Sequence, residues 1–261
     1  MRVAVVGNLS LDHVEGGPPR PGGPPRYAAR SLATLGVPSL VRAKSAAADR
    51  AQLVRPFEEL DVPVEWRPGE TTATYAFSYD GDARSMEVRE LGSRWSPEDV
   101  AGLDADWVHV GALFRGEFPE ETLAVLAATA RLSFDGQGLV RPARVGPLEL
   151  EPEPDTSFLR HVSVLKLSEE EALALVGSLD EEALSSVGVP EVVVTLGSRG
   201  AIVVAEGRLA RIPAEHVDAD PTGAGDAFAA AYVVERGQGA EPLRAAELAT
   251  RLVHELLGGS R

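Results

Sequence analysis

The sequence contains no cysteine and no long apolar run, and both absences narrow the kinds of protein it can be. Without cysteine there are no disulfides and no thiolate metal sites, a composition that fits the cytoplasm. There is no stretch of transmembrane length and no signal-peptide pattern, since Met1 and Arg2 lead straight into a strand-like segment. We therefore expect a cytoplasmic protein with no membrane partner.

Basic residues are scarce as well. Lys and Arg total 25 against 40 Asp and Glu, which gives a formal net charge of −15 at pH 7. A surface this acidic repels nucleic acid and anionic lipid, so neither is an expected partner. Lys44 and Lys166 are the only lysines, and the other basic residues are arginines.

Several familiar site patterns are missing too. The chain has no Gly-x-x-x-x-Gly-Lys-Ser/Thr loop and no Gly-x-Gly-x-x-Gly after its first strand-like segment, which argues against P-loop and dinucleotide-binding proteins. The histidines have no metal-ligand spacing, so we expect them to be structural. They are His13, His109, His161, His216 and His254.

What the chain does have is an alternation of short apolar strands with helices. Its 261 residues suffice for one large domain, or one with a small appendage. The alternation predicts a mostly parallel sheet with helices on both faces and ligands at the carboxyl ends of the strands. The predicted strands are 3–6, 39–42, 107–110, 132–134, 162–165, 192–196, 201–205 and 208–212. The predicted helices are 27–35, 46–60, 120–130, 169–176, 224–235 and 241–257.

One stretch breaks the alternation. Residues 71–79 are rich in β-branched and aromatic side chains, Asp80-Gly81-Asp82 is a hairpin signal, and residues 84–89 return as a second strand. We predict a small antiparallel insert at 63–92, joined by parts of 12–22, within a single domain that covers 1–261.

The most informative segment is residues 218–228, Asp-Ala-Asp-Pro-Thr-Gly-Ala-Gly-Asp-Ala-Phe. Its Gly223-Ala224-Gly225 turn opens an Ala-rich helical run, so free backbone N–H groups can surround one anion with the helix dipole behind them. The carboxylate of Asp226 lies beside that anion, where taking a proton from an attacking hydroxyl is the role that fits. The alternative is an ordinary Asp helix cap after a glycine turn.

These residues resemble the signatures of the PfkB-type, ribokinase-like carbohydrate kinases, over residues 3–249. Residues 220–228 resemble the C-terminal signature, and Gly22-Gly23 with Ala28, Ala33 and Leu35-Gly36 more loosely resembles the N-terminal one. Residues 166–172 and 195–200 resemble the family's phosphate and nucleotide segments. The resemblance implies a ribokinase-like three-layer sandwich with a small β-lid, and ATP with Mg²⁺ as cofactors.

On the acceptor side, the resemblance implies that Asp12 accepts hydrogen bonds from paired substrate hydroxyls, with help from Asn8. A strand-end loop Asp is the alternative for Asp12. The other residues implied to bind the substrate are Gly22, Gly23, Tyr27, Asp135, Gln137 and Arg141. The Gln137-Gly138 pair is similar to inositol-kinase-like members.

On the donor side, Asp226 is implied as the general base and Gly223, Ala224 and Gly225 as the anion hole. The residues implied to bind the nucleotide are Lys166, Ser168, Thr195, Gly197, Gly200 and Thr222. Glu171 matches the position that supports Mg²⁺ through water. The alternatives are that Glu171 complements a helix dipole, and that Ser168 is an N-cap with Glu171 as its capping-box partner.

Three departures from the family pattern concern the substrate, the lid and the adenine pocket. Tyr27 stands where the N-terminal signature usually has Asn, which leaves the acceptor open. The segment 12–22 is short, so we expect the first lid strands to be reduced or missing. The chain stops soon after 241–257, which predicts a more open adenine pocket.

The leading hypothesis is an ATP-dependent kinase that phosphorylates a hydroxyl of a small polyol, a sugar or a cyclitol such as myo-inositol. A nucleoside kinase is the first alternative, with Tyr27 or Phe77 as the platform for the base. The second is a non-catalytic nucleotide- or sugar-binding protein on the same scaffold. Such kinases often form a homodimer through the β-lid.

Overall fold

The computed structural model describes residues 1–14, 17–80, 83–152 and 154–259. The strands within these ranges are β1 Val3–Asn8, β2 Ser10–Val14, β3 Arg20–Gly22, β4 Ser39–Ala46, β5 Val64–Gly69, β6 Ala73–Asp80, β7 Ala83–Glu90, β8 Trp107–Gly111, β9 Arg131–Asp135, β10 Gly146–Pro147, β11 Val164–Ser168, β12 Glu191–Thr195, β13 Ala201–Ala205 and β14 Arg208–Ile212. The helices are α1 Pro24–Leu35, α2 Arg50–Glu59, α3 Pro97–Val100, α4 Glu120–Ala127, α5 Gln137–Val140, α6 Glu169–Val176, α7 Glu181–Ser185, α8 Ala224–Gly237 and α9 Pro242–Gly258. No helix in these ranges combines the length and apolarity needed to cross a membrane.

The main element is a nine-stranded sheet in the order β14-β13-β12-β11-β9-β8-β1-β4-β5. All its neighbouring strands run parallel except at one edge, where β12, β13 and β14 pair antiparallel. This confirms the predicted fold class. The carboxyl ends of β1, β8, β9 and β11 meet along one edge of the sheet, which is where ligands bind in such folds.

Helices cover both faces of this sheet because its central strands are apolar on both sides. In β1, Ala4 and Val6 pack on the side of α3, α4, α6 and α7. The alternate residues Val3 and Val5 pack on the side of α1, α2, α8 and α9. Since successive strand residues point to opposite faces, a continuous apolar run is what a sheet buried on both sides requires.

A second, five-stranded sheet has the order β10-β7-β6-β2-β3. The strands expected to be reduced or missing, β2 and β3, are both present and pair antiparallel, while β2 pairs parallel with β6. The insert also begins later than residue 63, because β5 joins the edge of the large sheet beside β4. Residues 81 and 82 of the predicted hairpin turn lie outside the described residues.

The small sheet is connected closely to the large one. A single buried residue, Leu9, separates β1 from β2, and Gly23 alone separates β3 from α1. Chain direction changes at Gly23 in a conformation with φ 93°, which favours glycine. Helix α2 is shorter than the predicted helix 46–60, because β4 extends to Ala46 and a 3₁₀ turn precedes α2.

Candidate active site

The turn before α8 is held in shape by Asp220. One oxygen of its carboxylate, Oδ1, accepts hydrogen bonds from the N–H of Thr222 at 3.0 Å and from the Thr222 hydroxyl at 2.6 Å. Gly223 then caps the helix with φ 79°, a left-handed conformation that a side chain would strain. The hydroxyl of Thr222 is therefore occupied by the turn itself.

Not all the N–H groups predicted for the anion hole are free. The N–H of Ala224 donates to the carbonyl of Pro221 at 3.0 Å, which closes the turn. Among the described residues, the N–H groups of Gly225 and Asp226 have no such partner. Of the three predicted donors, Ala224 is therefore used by the turn, while the N–H groups of Gly225 and Asp226 lie at the positive end of the α8 dipole.

Asp226 combines burial with an unsatisfied oxygen. Its side chain is buried, and Oδ1 has no hydrogen-bond partner within the described residues. Burial raises the pKa of this carboxyl to about 7, with a further rise from Asp135 that Lys166 and Arg141 oppose. A carboxyl whose pKa lies near neutrality can both accept and return a proton at working pH.

Lys166 and Asp135 form a buried ion pair beside the turn. They are register partners at the carboxyl ends of β11 and β9, with Lys166 Nζ 3.2 Å from Asp135 Oδ2. Burial by itself lowers the pKa of Lys166, but Asp135, Glu171 and Asp226 outweigh it and the pKa is raised. A Cβ built on Gly225 would lie 2.9 Å from Nζ, so the ammonium lies against the turn.

Gln137 and Asp135 contribute to the same edge in a different way from the prediction. Asp135 is fully buried, and its second oxygen accepts the Gln137 N–H at 3.1 Å. The carboxylate is thus occupied by Lys166 and the start of α5. Its observed contacts orient Lys166 rather than face an open pocket.

Glu171 forms the capping box that was one of the sequence alternatives. Its Oε2 accepts the Ser168 N–H at 2.8 Å, and its own N–H donates to the Ser168 hydroxyl at 3.2 Å. The other oxygen, Oε1, lies 3.6 Å from Nη2 of Arg141, an ion pair too long to be a hydrogen bond. The Nε of Arg141 is buried without a partner in the described part of the chain.

These contacts decide which kind of metal contact the residues fit. No group of three or more His, Asp or Glu side chains that could ligate a metal occurs among the described residues. Within the described residues Oε1 of Glu171 accepts no hydrogen bond, so it can accept one from a metal's hydration shell. Mg²⁺ keeps several waters, and one carboxylate reached through water is consistent with that preference. The site therefore fits a hydrated ion held mainly by a phosphorylated ligand.

The remaining residues predicted for the nucleotide make structural contacts. Thr195 Oγ1 donates to the Leu167 carbonyl at 3.3 Å. Gly200 allows a backbone crossing, since a Cβ there would lie 1.9 Å from the Ile212 carbonyl oxygen. Gly197 has φ 59° and starts a 3₁₀ turn. These contacts shape the β12–β13 connection.

On the other side of the cluster, Asp12 is packed closely. Ser10 Oγ donates to its Oδ1 at 2.7 Å, and Tyr27 Oη lies 3.5 Å from its Oδ2. A Cβ on Gly22 would lie 2.1 Å from Oδ2. Gly22 therefore lets the backbone approach Asp12, whereas the sequence predicted an approach to the substrate itself.

The side-chain amide of Asn8 is hydrogen-bonded to Glu117, a residue that no sequence pattern marked. Its Nδ2 donates to the Ser93 carbonyl and to Oε1 of Glu117, both at 2.8 Å. Glu117 is completely buried, and Oε2 also accepts the Leu113 N–H at 2.6 Å. Burial raises the pKa of Glu117 to about 8, although these N–H donors pull it down. Asn8 Oδ1 has no partner within the described residues.

Tyr75 is a second residue that the sequence analysis did not select. It is the register partner of Asp12 across β2 and β6, so both side chains leave the same face of the small sheet. That face packs on Leu113 and Phe114 from the loop after β8. The alternation of aromatic residues in 71–79 was the available signal for Tyr75.

Tyr27 lies between the two sides, because its hydroxyl is 3.5 Å from Asp12 Oδ2 and its ring packs against Gly223. The pKa of Tyr27 is raised by burial first and then by Asp12 and Asp226. The pKa of Tyr75 is raised by burial, against Arg141. Asp12, Tyr27 and the turn before α8 are therefore neighbours.

A cleft of about 920 Å³ lies nearby but outside this cluster. It is lined by the two segments that connect the small sheet to the body, 68–71 and 89–94, together with Lys44 and Val145. Lys44 is occupied there, since its Nζ lies 2.5 Å from Asp99 Oδ2 and 2.9 Å from the Arg94 carbonyl. The cleft exposes the connections of the small sheet rather than the charged cluster.

Comparison with known proteins agrees with this architecture. The family described as pfkB family carbohydrate kinase matches residues 11–253. The chain therefore belongs to the pfkB family of carbohydrate kinases, which are phosphotransferases, and the predicted resemblance is confirmed.

Three solved structures illustrate the likeness, all of them below 25% identity. A pyrophosphate-dependent kinase in the ribokinase family, complexed with a pyrophosphate analogue and myo-inositol, has a TM-score of 0.86 at 23% identity, covering 98% of this chain and 95% of that one. A pyrophosphate-dependent myo-inositol-1 kinase converted into a myo-inositol-3 kinase has a TM-score of 0.86 at 24%, covering 98% and 93%. Arabidopsis thaliana ribokinase with ribose and ATP has a TM-score of 0.75 at 19%, covering 98% and 92%. These confirm the ribokinase fold.

Proposed function

We propose that the protein transfers the γ-phosphoryl group of ATP to a hydroxyl of a small polyol, with a cyclitol such as myo-inositol as the first candidate acceptor. The observation that carries this is the arrangement of Asp226. Its buried, unsatisfied oxygen lies next to the free N–H groups of Gly225 and the helix start, with the Lys166 ammonium against the same turn.

The residues divide the chemistry between them. Asp226 accepts the proton of the attacking hydroxyl. The oxygen of that hydroxyl bonds to phosphorus while the bond from phosphorus to the leaving phosphate breaks. The N–H groups of Gly225 and Asp226 and the ammonium of Lys166 stabilise the charge on the phosphoryl oxygens. Asp135 keeps Lys166 charged and in place. The proton leaves the site when Asp226 returns it to solvent.

The metal's place follows from the donor set. Glu171 would contact the hydration shell of Mg²⁺ carried by the donor phosphates, and that ion would neutralise part of their charge. Arg141, loosely paired with Glu171, is a second cation available to the same phosphates.

On the acceptor side, Asp12 receives the substrate hydroxyls. The 3.5 Å separation from Tyr27 Oη is long for an O–H···O bond, so a substrate hydroxyl can replace it at little cost. The small sheet, which carries Asp12 and Tyr75, serves as the lid over the acceptor. The complexes of myo-inositol and ribose with fold relatives support a polyol at this position.

Pyrophosphate is the second candidate donor. The groups that the structure gathers at the donor side, Lys166, Arg141 and the α8 N–H groups, all recognise phosphate rather than a base. A fold relative with a TM-score of 0.86 was complexed with a pyrophosphate analogue. Both donors present the same phosphoanhydride to the turn.

The test is an acceptor screen with each donor. Mg²⁺ with ATP, or with pyrophosphate, is supplied with pentoses, hexoses, inositols and nucleosides, and release of ADP or phosphate is measured. We expect stimulation by a polyol. Stimulation by a nucleoside alone supports the nucleoside kinase, and donor binding without any stimulated release supports a binding protein.

The homodimer remains a prediction. The outward face of the small sheet carries exposed polar residues, Ser78, Ser85, Glu87 and Arg89, and two of them, Ser78 and Ser85, bond each other at 2.7 Å. Sedimentation velocity of the purified protein measures its oligomeric state directly.

A further inference from the structure

The first turns of α1 and α8 are in contact at two levels. A Cβ built on Gly223 would lie 2.1 Å from both Cγ and Cδ1 of Tyr27, so the phenol ring packs directly against the glycine. One turn further along each helix, Ser31 Oγ donates to the Ala227 carbonyl at 2.8 Å. Residues four apart lie on the same helix face, so the two contacts form one continuous seam.

The same tyrosine also faces the acceptor side. Its hydroxyl points toward Asp12 Oδ2 at 3.5 Å. Burial first, and then the carboxylates of Asp12 and Asp226, raise its pKa, so the phenol stays neutral and can donate. One side chain therefore contacts the group proposed to bind the acceptor and the turn proposed to bind the donor.

The chain connectivity makes this contact direct. Gly22 ends β3 against Asp12, Gly23 caps α1, and Tyr27 lies in the first turns of that helix. Any displacement of the β2–β3 hairpin that carries Asp12 is transmitted through one residue to α1. The ring of Tyr27 then transmits the displacement to Gly223. This glycine has a left-handed conformation and no side chain to absorb the displacement.

We propose that Tyr27 is a positioning residue that couples acceptor binding to the donor turn. The proposal rests on the proposed function of the same site. The Tyr27 hydroxyl responds to whether a substrate is bound at Asp12. The ring holds Gly223 in place, so that the N–H groups that follow Gly223 point at the phosphoryl group. Asn, which the family signature usually has here, can offer a hydrogen bond but no ring to seat the glycine.

Coupling of this kind is reciprocal and measurable. Calorimetry gives the dissociation constant of imidodiphosphate or of a non-hydrolysable ATP analogue, with and without myo-inositol or the acceptor found by the screen. The ratio of the two constants is the coupling factor, which we expect to be about 5- to 150-fold in the wild type.

Two variants separate the two halves of the residue. Tyr27→Phe keeps the ring and loses the hydroxyl, so we expect unchanged donor affinity without acceptor and a coupling factor near one. Tyr27→Asn also loses the ring, so donor affinity without acceptor falls and kcat drops about 10²-fold through a displaced turn. Ser31→Ala is the matched control, since it weakens the same helix seam without touching Gly223 or Asp12.

A second readout needs no turnover. Amide exchange at Ala224 and Ala227, whose N–H groups bond Pro221 and Gly223, should speed up in Tyr27→Asn and not in Tyr27→Phe. Unchanged exchange in Tyr27→Asn, or a wild-type coupling factor in both variants, overturns the role of Tyr27. A wild type with no acceptor-stimulated turnover contradicts the proposed function instead, and exchange still decides whether the ring holds the turn.

Discussion

The proposed donor and acceptor sides of the site are built from different kinds of contact. On the donor side, charges are paired across strand and helix ends, Lys166 with Asp135 and Arg141 with Glu171. On the acceptor side, Asn8 donates hydrogen bonds to the Ser93 carbonyl and to Glu117, Asp12 accepts one from Ser10, and glycines let the backbone come close. Both sides are buried, and Tyr27 contacts each.

The difference teaches where tolerance to change should lie. A buried ion pair loses most when one partner is removed, because the other is left as an unpaired buried charge. A network of neutral hydrogen bonds loses about 1–3 kcal/mol for each buried group left unsatisfied. Substitutions on the donor side should therefore have larger effects than those on the acceptor side.

The largest expected effect is on catalysis. Asp226→Asn keeps the shape of the side chain and removes its basicity, so kcat should fall by about 10²- to 10⁴-fold while the donor still binds. Steady-state kinetics and calorimetry with the donor measure the two quantities. Near-normal kcat would contradict the role of Asp226 as the base.

The next largest effect is on stability. Lys166→Met leaves Asp135 buried and unpaired, which should cost about 3–5 kcal/mol of unfolding free energy. The double variant Lys166→Met/Asp135→Leu should recover most of that stability in urea unfolding but not the activity.

Lys44→Met is the matched control, because it breaks the pair of another buried lysine, with the partly buried Asp99, outside the charged cluster. It should be destabilised yet retain turnover per folded molecule. If the Lys166 variant is as active as the Lys44 variant, Lys166 has no part in binding the donor.

The pKa of Asp226 predicts two opposite pH trends. Because its pKa is about 7, kcat/KM should fall about tenfold per pH unit below 7, where the base is protonated. The folded pKa lies above the unfolded value of about 3.9, so this group's contribution to stability falls as pH rises from about 4 to 7. Asp226→Asn should remove that dependence, which urea unfolding across this range measures.

On the acceptor side we expect smaller changes. Glu117→Leu removes the acceptor for Asn8 and for the Leu113 N–H, so stability should fall by about 1–3 kcal/mol and the acceptor KM should rise more than kcat falls. Glu121→Leu, at an exposed position nearby, should stay within about 0.5 kcal/mol. Equal effects in both variants would remove Glu117 from the acceptor network.

The smallest effect concerns the capping box. Ser168→Ala should cost about 1 kcal/mol of stability through loss of the α6 N-cap. Its Mg²⁺ requirement should stay as in the wild type, because Glu171 keeps its carboxylate. A strongly raised Mg²⁺ requirement in Ser168→Ala would show that the hydroxyl itself serves the donor.

How far the sequence predicts this molecule depends on whether a feature is local. The Gly-Ala-Gly turn, Asp226 and the α6 capping box are encoded by neighbouring residues, and the corresponding elements occur where predicted. That the Ala224 N–H is used up depends on the carbonyl of Pro221, which the motif alone does not reveal. The local pattern therefore located the turn and the Gly225 N–H, but not the use of the Ala224 N–H by the turn itself.

Non-local contacts account for what the sequence left out. Glu117 matters through Asn8, more than a hundred positions away, and no spacing pattern marks it. β5 was not predicted because its apolar-polar alternation covers only four residues before Pro-Gly, and it forms only at the sheet edge beside β4.

The single residue between β1 and β2 bears on how fast water can hydrolyse a bound donor. Because Leu9 alone joins the strand of the body to the strand that carries Asp12, the small sheet cannot open without carrying the acceptor carboxylate away from Asp226. An open enzyme would hold its donor with the base in place but nothing positioned to attack. Under the proposed function, hydrolysis of the donor by water should then be slow while no acceptor is bound.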